Sequence, residues 1–119
     1  MLRVQKKYTV HDLLTLKGKR CLSHIHVKSP EEAAAAEQAG IDLMSSSFDS
    51  PETQNKFPSI VKAAPHSFLS VSTPHGLASP EEAIRVAFKA LELGASSVYC
   101  SGSPYLIEAM AREKIPVVG

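Results

Sequence analysis

The pentapeptide Ser-Pro-Glu-Glu-Ala occurs twice, at residues 29–33 and again at 79–83. Each copy opens an alanine-rich run closed by a glycine, Gly40 or Gly94, and each glycine leads into a strand-like segment. Serine supplies an N-cap oxygen, proline fits the first helical position, and the two glutamates stand where the helix dipole favours negative charge. Glycine suits the left-handed residue that closes a helix. The repeated unit therefore predicts loop, helix, tight turn and strand, the building block of a parallel α/β protein. Duplication and convergence on good capping chemistry both account for the repeat.

At 119 residues the chain is sized for one domain, 1–119, with a real core. Its 44% apolar and 21% charged residues are those of a globular protein. A net charge of +1 gives no electrostatic reason to expect nucleic acid or an anionic membrane as partner. No apolar run approaches the roughly 20 residues of a membrane-spanning helix, and the N-terminal stretch lacks a signal-peptide core. The expected location is cytoplasmic. The two cysteines, Cys21 and Cys100, fall in strand-like runs and are expected to be buried free thiols.

In order, Thr9-Val-His-Asp has the form of a capping box, followed by a short helix whose face carries Val10, Leu13, Leu14 and Leu16. Residues 21–27 alternate apolar and polar and predict a first strand. Residues 29–39 are the first repeated helix and 41–46 the second strand. That strand runs into a polar loop at 45–51, and weak helical character follows only at 57–64. Residues 67–72 predict strand three, 79–93 the strongest helix, 96–100 strand four, 105–113 a further helix, and 115–119 the start of strand five. This cadence is that of a (β/α)₈ barrel, of which the chain holds about half, strands 1–5. Half a barrel has two open edges and an uncovered face. The expectations are thus a fragment, a homo-oligomer or complementing chain that covers that face, or instead a small open sheet of flavodoxin-like type.

The chain resembles the N-terminal half of ketopantoate hydroxymethyltransferase, a barrel family of the phosphoenolpyruvate/pyruvate superfamily. The resemblance rests on the stretches TVHDLLTLKGKR (9–20), EQAGIDL (37–43), SPEEAIR (79–85), Leu93-Gly94-Ala95 and IPVVG (115–119). It implies transfer of a one-carbon unit from methylenetetrahydrofolate to 2-oxoisovalerate in pantothenate biosynthesis. It also implies magnesium (Mg2+) that chelates the 2-oxo acid and stabilises its enolate.

Carried over position by position, the implied site is depleted. The family's Gly-Asp-Ser falls on Ser47-Phe48-Asp49, or after a one-residue slip on Asp49-Ser50, which keeps a metal carboxylate. Its Asp-Met-Pro becomes Ser72-Thr73-Pro74, its Lys-Leu-Glu-Gly becomes Tyr99-Cys100-Ser101-Gly102, and its Thr-Ala-Tyr-Asp becomes His26-Val27-Lys28-Ser29. No residue replaces the family's general base. The resemblance thus implies Asp49 as metal ligand, and Asp49, Ser50, Ser72, Tyr99 and Ser101 as substrate-binding residues. Asp49 reads equally well as a helix-start residue. His24 and His26 share one strand face and, with His66 and His75, make a zinc or copper site or a hydrogen-bonded pair. Phosphate loops, a Ser-His-Asp constellation and a nucleophile elbow are absent from the sequence.

Three functional expectations follow. One is a degenerate hydroxymethyltransferase with weak or no activity. Another is a different carbon–carbon lyase or mutase of that superfamily, acting on a 2-oxo acid. The last is a non-catalytic half-barrel that binds or oligomerises.

Overall fold

A computed structural model describes residues 7–119. Helix α1 (Val10–Thr15) is followed by strand β1 (His24–His26), α2 (Pro30–Gln38), β2 (Leu43–Ser47) and α3 (Pro51–Ala63). Strand β3 (Phe68–Ser72), α4 (Pro80–Glu92), β4 (Ser97–Tyr99), α5 (Pro104–Arg112) and β5 (Val117–Val118) complete the described chain. The five strands are all parallel and lie in the order β1-β2-β3-β4-β5.

That order separates the two architectures left open above. A flavodoxin-like sheet reverses its winding at a switch point and carries helices on both faces. Here the order never reverses, and the buried helix residues Ala33, Ala36, Phe57, Ile60, Ala83, Ala87, Ala90, Leu106 and Met110 join one core cluster. That cluster takes Met44, Leu69, Val71 and Val98 from the strands. Strand side chains alternate between faces, so one face carries the core. The other carries Leu43, Ser45, Ser70, Ser72, Ser97 and Tyr99. The molecule is an α/β partial barrel, a slab of 49 × 34 × 19 Å.

The repeated pentapeptide folds the same way twice. Ser29 Oγ accepts from the backbone N–H of Glu32, and Ser79 Oγ from that of Glu82. Each glutamate turns back to accept from the residue before the cap, Lys28 N–H at 2.8 Å and Ala78 N–H at 2.9 Å. Ala33 and Ala83, the fifth residue of each copy, are both fully buried. The helices end at Gly40 (φ +82°) and Gly94 (φ +113°), in the left-handed region.

Several local expectations need correction. Strand β1 is only three residues long, and Cys21, outside it, is exposed; Cys100 is buried, and both are free thiols. Helix α3 begins at Pro51, well before residue 57, because Ser50 caps it in a reciprocal box with Thr53. Pro58 sits inside α3, where its missing N–H and its ring normally interrupt a helix; the cap and the buried Phe57 and Ile60 outweigh it. Phe48, placed by sequence in a polar loop, is fully buried and meets Phe57 edge to face at 5.8 Å.

Candidate functional site

In parallel barrels the C-terminal ends of the strands present side chains to ligands, while the N-terminal ends serve stability. The N-terminal end here is organised by Asp42. Its carboxylate accepts from Arg20 (2.8 Å), from the N–H (2.9 Å) and Oγ (3.1 Å) of Ser23, and from the Tyr8 hydroxyl (3.3 Å). Burial pushes the Asp42 carboxyl up, but the Ser23 bonds, Arg20 and Tyr8 together hold it below the usual carboxylate value. Asp42 thus ties the segment around α1 to the entry of β1 and β2.

At the opposite end, register brings together residues far apart in sequence. His26 pairs with Ser45, Ser47 with Ser72, and Ser72 with Tyr99. The imidazole Nδ1 of His26 lies 2.9 Å from Ser45 Oγ, and its Nε2 lies 3.5 Å from Ser47 Oγ. A second serine–histidine pair forms between loops, Ser101 Oγ to His75 Nδ1 at 2.9 Å. Both histidines are exposed. A serine hydroxyl beside each ring nitrogen orients the imidazole of His26.

Below this rim the concave face holds a cavity of about 480 Å³. Leu13, Leu43 and Phe68 form its apolar part, Ser45, Ser70 and Ser97 a row across it, and Ser72 and Tyr99 its upper wall. Such a volume, mostly apolar with a few polar groups, is that of a small-molecule site.

The candidate residues read from sequence divide between these places. Ser72 and Tyr99 stand side by side and line the cavity. Ser101 is held by His75. Ser50 is the N-cap of α3, and Asp49, exposed, accepts from Thr53 Oγ1 at 3.2 Å; neither lines the cavity. Among the described residues no group of three or more His, Cys, Asp or Glu side chains is placed to hold a metal ion. Magnesium asks for hard oxygen donors that include one or more carboxylates. Asp49, with a threonine hydroxyl as its side-chain partner, does not fit that demand. The four histidines do not converge either: His24 lines the cavity, His26 and His75 bind separate serines, and His66 donates its backbone N–H to Glu37. His26, Ser45 and Ser47 went unrecognised as a group because 19 and 21 residues separate the pairs. The available signal was the same-face pair His24 and His26 opposite a run of serines.

No protein-family model matches the chain, and no curated protein does. Solved structures do. The 3,6-anhydro-D-galactonate cycloisomerase from Zobellia galactanivorans is similar over 80% of this chain and 30% of its own, with a TM-score of 0.61 and 20% identity. A mandelate racemase/muconate lactonizing protein from Paracoccus denitrificans PD1222, complexed with magnesium, is similar over 87% of this chain and 35% of its own, with a TM-score of 0.55 and 20% identity. The chain spans about a third of the length of these structures. At this identity the likeness establishes the barrel fold.

These neighbours are of the enolase/mandelate racemase type, a different superfamily from ketopantoate hydroxymethyltransferase, and they overturn that resemblance. With it go the hydroxymethyl transfer and the place in pantothenate biosynthesis; nothing supports a folate donor. The physical reason is visible in the stretches that carried the resemblance. Thr9 to Asp12 is a helix cap, Gly40 a helix stop, and Ser79 to Ala83 a helix start. Any βα unit needs these features, so they specify scaffold and not chemistry.

Proposed function

We propose that this chain supplies part of a (β/α)-barrel enzyme that moves a proton on a small hydroxylated carboxylic acid, with His26 as the proton-transferring group. The observation that carries the reading is the setting of His26 at the C-terminal end of β1, between Ser45 and Ser47. With Nδ1–H donating to Ser45 Oγ, Nε2 has, among the described residues, only the long contact to Ser47 and is the nitrogen at which a ligand proton can be taken. Hydroxyls at Ser47, Ser72 and Ser101 around the rim suit a polyhydroxylated ligand. The galactonate in the name of one structural neighbour is of this chemical class. A cytoplasmic location belongs to the same reading, since both cysteines are free thiols. No described helix is long and apolar enough to cross a membrane.

The test is solvent exchange. The chain is incubated in D2O with D-galactonate, with and without magnesium chloride, and the proton on the carbon beside the carboxylate is followed by NMR. Exchange above the protein-free background that disappears in His26→Gln is the expected result. No exchange under either condition, or an unchanged rate in His26→Gln, overturns the reading.

A further inference from the structure

Proton transfer at His26 on a carboxylic acid calls for a cation that holds the carboxylate. The loops that follow strands β1 to β4 at this end are residues 27–29, 48–50, 73–79 and 100–103, and Lys28 is the one lysine or arginine in them. Its main chain is fixed on both sides. The N–H donates to Glu32 Oε2 at 2.8 Å, and the carbonyl accepts from Lys56 Nζ, on α3, at 3.3 Å. Its own ammonium enters no hydrogen bond or ion pair among the described residues. A free ammonium at the surface is ordinary; what singles out Lys28 is its place. The ladder between β1 and β2 continues one residue past the strand, Val27 N–H donating to Ser45 O at 2.8 Å, and Val27 is buried in the core under the helices. Side chains alternate along an extended chain, so Lys28 emerges on the same face as His26, about 7 Å further on.

We propose that Lys28 is the residue that binds the ligand's carboxylate and so sets the adjacent carbon against Nε2 of His26. The inference rests on the reading of the rim as a site for a hydroxylated carboxylic acid. Lysine carries its charge on a flexible four-carbon stem, long enough to span the gap between the two residues. The bonds from Glu32 and Lys56 fix the point from which that stem departs. Glu32 does not neutralise the ammonium, since its carboxylate is bonded to the Lys28 N–H and forms no ion pair with the side chain. Carboxylate held by Lys28, carbon at His26 and hydroxyls at Ser47 and Ser72 would then follow one another along the rim.

D-galactonate and galactitol, which differ by the carboxylate, are the probes. Each is titrated into the 15N-labelled chain and followed at the amides of His26, Lys28 and Ser47. Galactonate is expected to bind about tenfold tighter than galactitol, as one charge-assisted contact implies. Lys28→Met is expected to bring galactonate down to the affinity of galactitol and to leave galactitol unchanged, which reports an intact rim. Lys28→Arg is expected to keep most of the preference. In the solvent-exchange assay Lys28→Met should raise the galactonate concentration for half-maximal rate about tenfold with little change in the limiting rate, the reverse of His26→Gln. The proposal is overturned if the preference for galactonate survives Lys28→Met, or if the parent chain binds the two probes alike or binds neither. Binding that depends on Lys28 without any exchange would uphold the role of Lys28 and sink proton transfer at His26, so the two readings fail separately.

Discussion

The Nδ1 nitrogen of His26 lies 2.9 Å from the Oγ of Ser45, across the first strand pair of the sheet. In the tautomer proposed for proton transfer Nδ1–H donates to this hydroxyl, which leaves Nε2 without a proton. Ser45→Ala is expected to release that preference and to lower the exchange rate about tenfold, against a loss of about a hundredfold or more for His26→Gln. The measurement that singles out positioning is the 15N spectrum of the imidazole. An unchanged tautomer balance in Ser45→Ala would refute the assigned role.

Asp42 is expected to act on stability and not on ligands, because it sits at the N-terminal end of the strands. Asp42→Asn removes the charged acceptor from Ser23 and should cost about 1–3 kcal/mol. Most of that comes from the Ser23 bonds, since the Arg20 side chain is 44% exposed and its ion pair is screened by solvent. The carboxyl is held below its unfolded value of about 3.9, so its stabilisation is complete above that value and is lost as pH falls through the folded value. Urea unfolding at several pH values should show the gap between parent and Asp42→Asn constant near neutrality and closing only in acid. A gap that widened in acid would contradict the assignment.

Gly94 and Gly40 end their helices alike but in different surroundings. A Cβ on Gly94 would stand 2.8 Å from Val61 Cγ1, while one on Gly40 meets nothing within 4 Å. Gly40→Ala therefore carries only the left-handed backbone penalty, about 1 kcal/mol, whereas Gly94→Ala adds overpacking of about 1–3 kcal/mol. Thermal unfolding of the two variants checks the order. The difference should shrink in Gly94→Ala with Val61→Ala, where the neighbour is trimmed.

Phe48 fills the core between β2 and α3. Phe48→Ala should cost about 3–5 kcal/mol, as for other fully buried aromatics. A loss below about 1 kcal/mol by denaturant titration would place the residue outside the core and return the segment to the polar loop suggested by its serines.

Helix starts and stops were readable because they are local. Ser29, Ser79 and Thr9 cap helices through bonds reaching three residues along the chain, and Gly40 and Gly94 stop them through their own φ. Ser50 has the same chemistry, Ser-Pro-Glu; a helix start was read there through Asp49, one residue before the serine that makes the cap. The candidate site was legible only in part. Ser72 and Tyr99 were placed correctly at strand ends, whereas Asp49 and Ser50 were drawn from short motifs that turn out to serve the start of α3.

The repeated units, the alternating strands and thus the parallel α/β class were determined by sequence alone, since capping, periodicity and glycine conformation act within a few residues. Tertiary structure decided the rest. The order β1-β2-β3-β4-β5 makes the sheet part of a barrel, and the registers His26 to Ser45 and Ser70 to Ser97 create the rim pair and the serine row. A strand carries no local record of the neighbour it will pair with, or in which register. A shift of one residue would turn Ser45 from His26 toward the helices.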